Sequence, residues 1–158
     1  MNNRTIVLLL IVILVVAVVW ATDSLREKRE VAPTGPPPLI MAAIMGDADS
    51  AKQLLADGAD VNGCAPGTNW TALHAAASDG RTAVARLLLE HGADINRQSD
   101  NGNTPLHLAA LWERYQTTKL LLASGADVSI RNDKGETPQE LATTEEMAAL
   151  FEEPAAQE

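Results

Sequence analysis

One interval governs this chain. Gly-Ala-Asp recurs at Gly58–Asp60, Gly92–Asp94 and Gly125–Asp127, spaced by 34 and then 33 residues. Thr71, Thr104 and Thr137 are 33 apart, as are His74 and His107, and Gly102 and Gly135. A unit of that size has too little interior to bury its own apolar faces, so neighbouring units must stack and share a continuous core. The interval therefore predicts a repeat solenoid rather than a closed globule, and the helix signals within each unit make it an all-α repeat solenoid.

Each unit carries the same local signals. Thr104 before Pro105 is a helix start, because the hydroxyl can accept from free N–H groups and proline enters with helical φ already set. Leu106, Ala109 and Ala110 fall at i, i+3 and i+4, a narrow face whose alanines admit a close neighbour. A second helix follows with the leucine block Leu87–Leu89 or Leu120–Leu122, closed at Gly92 or Gly125, where glycine can take a left-handed conformation. Asp100, Asn101 and Gly102 then give a hairpin-type turn.

Thr104-Pro105-Leu106-His107-Leu108-Ala109-Ala110, with Leu120–Leu122 and Gly125–Asp127, resembles an ankyrin repeat. The preceding unit, Thr71-Ala72-Leu73-His74-Ala75-Ala76-Ala77, is similar. The first is degenerate, from Pro38-Leu39-Ile40-Met41-Ala42-Ala43 to Gly58–Asp60, as an end unit would be. The last keeps Gly135, Thr137, Pro138, Leu141 and Ala142, and then Thr143 and Glu146 have capping-box spacing ahead of Met147, Leu150 and Phe151. The resemblance implies helix-turn-helix repeats with short β-hairpin fingers. The expected organisation is an apolar segment at 1–22, a charged, proline-rich linker at 23–36, repeats at 37–153 (about 37–65, 66–98, 99–131 and 132–153) and a tail at 154–158.

Two positions depart from the pattern. Glu113 stands where the first two units have Gly46 and Gly80. A left-handed backbone there costs glutamate ~1–2 kcal/mol relative to glycine. The stretch Gly63–Trp70 is one residue longer than its counterpart, which predicts an irregular second finger.

Ahead of the repeats, Ile6–Ala21 is apolar throughout. At 1.5 Å per residue it covers roughly 24 Å, slightly short of a ~30 Å hydrocarbon core, which Thr5 and Thr22 extend. It reads either as a membrane anchor, with Trp20 at the interface, or as a signal peptide cleaved near Val19 and Ala21. The anchor through residues 5–22 is the favoured expectation, with a cleaved, secreted or periplasmic soluble protein as the alternative. Counting Arg26, Lys28 and Arg29 against Arg4 would keep the repeats in the cytoplasm, whereas the basic, acid-free start has the form of an export signal. The expectation taken is an extracytoplasmic repeat domain. Four prolines within Val31–Pro38 then make a stiff spacer.

Composition removes one class of ligand. The formal charge is −9, and all twenty-one acidic residues lie beyond Ala21 with eleven of the twelve basic ones. Nucleic acid requires clustered Lys and Arg to displace counterions, and the one dense basic run, Arg26–Arg29, is interrupted by Glu27. A single cysteine, Cys64, excludes an internal disulfide.

No catalytic, cofactor or metal site is expected, nor a small-molecule substrate. By the resemblance, His74 and His107 are structural, each ring bonding to backbone and joining one unit to the next. Zinc would need ligands within about 2.1 Å of one ion, while equivalent positions in stacked helices stand roughly 8–10 Å apart. Ser78 and His74, four apart, could be drawn as a nucleophile and base, a hydrolase alternative that costs His74 its structural bond.

The resemblance instead implies protein binding through finger tips and exposed inner-helix positions. Those are Ile44 and Met45; Thr68, Trp70, Ser78 and Asp79; Asp100, Asn101, Asn103, Leu111 and Trp112; and Lys134, Glu136 and Glu145. Two of the three tryptophans fall among them, and tryptophan is enriched at interface anchors, although both could instead fill gaps between repeats. Asp79, Asp100 and Glu136 would give an acidic rim, and so a partner with a basic border.

Overall fold

A computed structural model of the chain describes residues 36–152. The expected anchor or signal peptide, nearly all of the linker and the tail lie outside these residues. Seven α-helices run in order: α1 (Pro38–Met45), α2 (Ala48–Ala56), α3 (Ala72–Ser78), α4 (Thr82–Glu90), α5 (Pro105–Leu111), α6 (Tyr115–Ala123) and α7 (Glu145–Glu152), with a 3-10 turn at Gln139–Leu141 before the last. Among the described residues no helix is long and apolar enough to cross a membrane.

The helices form two rows. α1, α3, α5 and the 3-10 turn pack side by side as the inner row, and α2, α4, α6 and α7 as the outer one. The inner helices come close because their facing residues are alanines: Ala43, Ala72, Ala76 and Ala109 are all fully buried. Between the rows sit Ile40, Leu73, Leu88, Leu106 and Leu121, and Met147 is buried in the last unit. A single cluster joins Leu39 to Leu121 and takes Phe151 at its edge. Each such leucine is worth ~2–5 kcal/mol against alanine. The shared core is what makes the units interdependent.

Local signals set the helix ends. Thr71 and Thr104 cap α3 and α5 by accepting from the N–H of His74 and His107, and each histidine ring accepts in return from the threonine N–H. Gly92 and Gly125 lie at φ 83° and 84° directly after the caps of α4 and α6.

Two expectations are corrected. The fingers are not β-hairpins: among the described residues the only ladder contact is one antiparallel bridge, Cys64 to Thr71. Each finger is too short for more, since Ser99 N–H already bonds to Asn103 O at 2.9 Å and Asn132 N–H to Glu136 O at 2.9 Å. In the second unit the corresponding bond, Ala65 N–H to Trp70 O, encloses one residue more, as its length predicts. The cap of α7 is Thr144, whose hydroxyl accepts from Met147 N–H at 3.3 Å, and not Thr143. Thr143 is drawn away because its hydroxyl donates to the Glu113 carboxylate.

Glu113 is left-handed, at φ 54°, and among the described residues the only such non-glycine. Its glycine counterparts meet a constraint that it escapes. A Cβ at Gly46 would stand 2.8 Å from Arg81 Cδ, and one at Gly80 2.9 Å from Arg114 Cδ. The fourth unit has Thr144 where those arginines stand, ahead of its outer helix. The space beside residue 113 can therefore hold a side chain.

Candidate functional site

Fingers and inner helices are locked together by the histidines. His74 and His107 are fully buried. His74 Nδ1 accepts from Thr71 N–H at 3.3 Å, so the proton resides on Nε2, which donates to Asn103 O at 3.2 Å in the next finger. His107 repeats this with Thr104 N–H at 3.1 Å and Glu136 O at 3.1 Å. Burial pushes the His74 pKa down to about 4, and His107 is lowered for the same reason. A second proton would also set an N–H on Nδ1 against the threonine N–H.

That geometry bears directly on the hydrolase alternative. Both nitrogens of His74 are occupied by Thr71 and Asn103, which leaves none to activate Ser78. The Ser78 carbonyl is itself held by Arg114 Nε at 2.8 Å. Sequence spacing places the two residues on one helix, but not in one reactive pair.

Of the residues singled out from sequence, the structure gathers most into two pockets that share Asn101. The first, about 290 Å³, includes Ile44, Thr68, Trp70, Asp100 and Asn101. The second, about 520 Å³, includes Asn101, Asn103, Leu111, Lys134 and Glu136. Met45 lies elsewhere, in an apolar hollow at the N-terminal end with Met41 and Leu54. Asp79 lies beside Gly80 and Tyr115. Glu145 is exposed at the start of α7.

The tryptophans differ. Trp70 is half-buried and stacks on His74, ring centroids 5.4 Å apart at 30°, so it does fill a gap while also lining the first pocket. Trp112 is 55% exposed and Leu111 beside it 38%, so neither is absorbed by packing. Ile44 and Met45 are exposed at 38% and 70%.

Some contacts had no local signal. Asn69 bonds to the Asp100 carboxylate through its backbone N–H at 3.0 Å and its side-chain amide at 3.1 Å, tying two finger tips together. Asn132 Nδ2 donates to Asn103 Oδ1 at 3.0 Å in the next pair. Cys64, with no basic neighbour in sequence, has Arg97 Nη2 at 3.5 Å from its sulfur. The partners are 29 to 33 residues apart, so only the repeat interval could have hinted at them.

Two rows of short helices, a shared core and finger-to-finger bonds at every step define a helical-repeat solenoid. The chain belongs to the ankyrin-repeat family, whose model, described as "Ankyrin repeats (3 copies)", matches residues 39–132. Similar proteins include the 2-5A-dependent ribonuclease of Mus musculus, 48% identical over 67 residues, which is 42% of this chain and 9% of that protein. Protein phosphatase 1 regulatory subunit 27 of Mus musculus is 37% identical over 75 residues, 48% of each chain. Potassium channel AKT3 of Oryza sativa subsp. japonica is 45% identical over 65 residues, 41% of this chain and 7% of the channel. The chain spans less than half the length of these relatives, and the ribonuclease matches only over the repeats. Ankyrin repeats are in general non-catalytic modules that bind other proteins.

Proposed function

We propose that this chain captures another protein on the surface formed by its finger tips and inner helices, and that residues 5–22 tether it to a membrane with the repeats on the extracytoplasmic side. The observation carrying the binding surface is the exposed pair Leu111 and Trp112, next to the adjoining pockets that share Asn101. A tryptophan left 55% exposed forgoes burial that an interface would supply, and such residues dominate interface energetics. One relative is named as a regulatory subunit, a role exerted on another protein.

The test uses the full chain in mild detergent as bait. Proteins retained by the wild type are expected to be lost with Trp112→Ala, a penalty of ~2 kcal/mol or more, while far-ultraviolet circular dichroism is unchanged. Undiminished capture by the variant would move the surface elsewhere.

The tether rests on the apolar run Ile6–Ala21 alone. A cleaved, freely diffusing effector is the second reading, favoured by Val19 and Ala21 at positions a signal peptidase reads. Mass spectrometry of the mature N-terminus separates the two, and a reporter fused after Glu158 reads out the side of the membrane.

A further inference from the structure

The smaller of the two adjoining pockets has a composition that selects its occupant. Helix α1 contributes Ile40 and Ile44, the long second finger contributes Trp70, and the next finger contributes Ser99, Asp100 and Asn101. One part is thus apolar and the other polar. At about 290 Å³ it lies at or below the ~300–1,000 Å³ of pockets that enclose drug-sized ligands, a size suited to one side chain.

The polar part carries a charge with spare capacity. Asp100 Oδ1 accepts both bonds from Asn69. Among the described residues its other oxygen receives no hydrogen bond, and no cation stands within ion-pair distance. Asp100 is exposed, so the free oxygen is open to a ligand. The Ser99 hydroxyl, buried without a partner, is a further polar group at this end. Behind Trp70, His74 is neutral, as its two ring bonds require, so no fixed positive charge backs the indole.

An anionic side chain would meet the Asp100 carboxylate, and a purely aliphatic one would leave it unmatched. A long aliphatic stem ending in a cation satisfies both parts, with the indole surface adding cation–π attraction. The net charge of −9 draws basic partners to the chain. We propose that this pocket receives one arginine or lysine side chain of the protein partner, its methylenes along Ile44 and Trp70 and its charged head on Asp100. The proposal rests on the protein-binding reading above and names the chemistry of the partner.

The test is a titration of the full chain in detergent with blocked tripeptides, Ac-Ala-X-Ala-NH2, where X is arginine, norleucine or glutamate. It is followed by the Trp70 indole N–H and the backbone amides of Ser99 to Asn101 in nitrogen–proton correlation spectra. The arginine peptide is expected to shift these signals saturably, norleucine at least about fivefold more weakly, and glutamate not at all. Asp100→Asn keeps an oxygen for Asn69 but removes the charge, and should weaken the arginine peptide about tenfold without affecting norleucine. Norleucine binding as tightly as arginine, shifts scattered over the acidic surface, or indifference to Asp100→Asn would each overturn the proposal. A captured partner that is lost with Trp112→Ala but retained with Asp100→Asn would sink this pocket and leave the binding reading intact. Arginine-peptide binding without any captured partner would do the reverse.

Discussion

Arg114 lies across Gly80: its Cδ is 2.9 Å from where a β-carbon on that glycine would stand, and its Nε donates to the Ser78 carbonyl at 2.8 Å. The same relation holds one unit earlier, where Arg81 passes Gly46 and donates to Ile44 O at 3.1 Å. A cation from the second and from the third unit thus meets the C-terminal end of the preceding inner helix, where free carbonyls and the helix dipole favour it. Glycine at 80 is required twice, by its φ of 69° and by the arginine above it. Gly80→Ala is expected to cost ~2 kcal/mol, and Arg114→Met ~1–2 kcal/mol. The double variant should fall short of their sum, because both changes break one contact. Urea midpoints check this, and full additivity would mean that the arginine does not depend on the glycine.

At residue 113 the logic inverts. Glu113 bears left-handed strain at φ 54° without an arginine to clear, and its return is one exposed bond from Thr143. Relief of ~1–2 kcal/mol exceeds the ~0.5–1 kcal/mol of such a bond. Glu113→Gly should therefore raise the melting temperature by about 2–4 °C, read by thermal circular dichroism. An unchanged or lower value would show that the tie to Thr143 matters more than the strain.

Gly102 and Gly135 occupy equivalent fingers, at φ 72° and 81°, yet differ in surroundings. A β-carbon at Gly102 would lie 2.7 Å from the Asp133 backbone nitrogen, which cannot move aside as a side chain can, whereas Gly135 has open space. Both alanine variants carry the same left-handed strain. Gly102→Ala should exceed Gly135→Ala by ~1 kcal/mol or more in urea unfolding. Equal penalties would mean that the two fingers yield freely.

The buried histidines make stability depend on pH. Unfolded, each ring takes a proton near pH 6.5, whereas folded His74 resists until about 4 and His107 is shifted in the same direction. The His74 contribution is therefore complete above about pH 6.5 and is lost as pH falls from there towards 4, by up to ~1.4 kcal/mol per pH unit, and His107 acts in the same direction. Asp47, Asp127 and Glu140 have pKa values lowered by hydrogen bonds. Their effect comes below about pH 4.5, in a separate window. Urea midpoints between about pH 7 and 5 should fall steadily, and His74→Gln should flatten that slope even if it lowers stability at neutral pH. An unaltered slope would assign the acid sensitivity to other groups.

How much of this was readable in advance follows from the range of each interaction. The caps at Thr71 and Thr104 and the glycine turns at Gly92 and Gly125 depend on atoms within a few residues and stand in the structure as the sequence predicts, and the left-handed backbone on which the cost at Glu113 is conditional is present. Thr143 and Thr144 show the limit. Both can cap α7, and the choice is made by Glu113, 30 residues away. The hairpin fingers failed for a related reason, since turn chemistry at Asp100–Gly102 fixes the reversal but not enough paired backbone to build strands.

The sequence by itself determined the unit, its period and its helix ends, because helix initiation and left-handed closure are local choices repeated every 33 residues. Only the tertiary structure decided which surface those units share. The bonds from His74 to Asn103 and from Asn69 to Asp100, and the meeting of Ile44, Trp70 and Asp100 in one pocket, exist only when units are stacked. Side chains 30 residues apart come within bonding distance there because burying the alanine and leucine faces fixes each unit against the next.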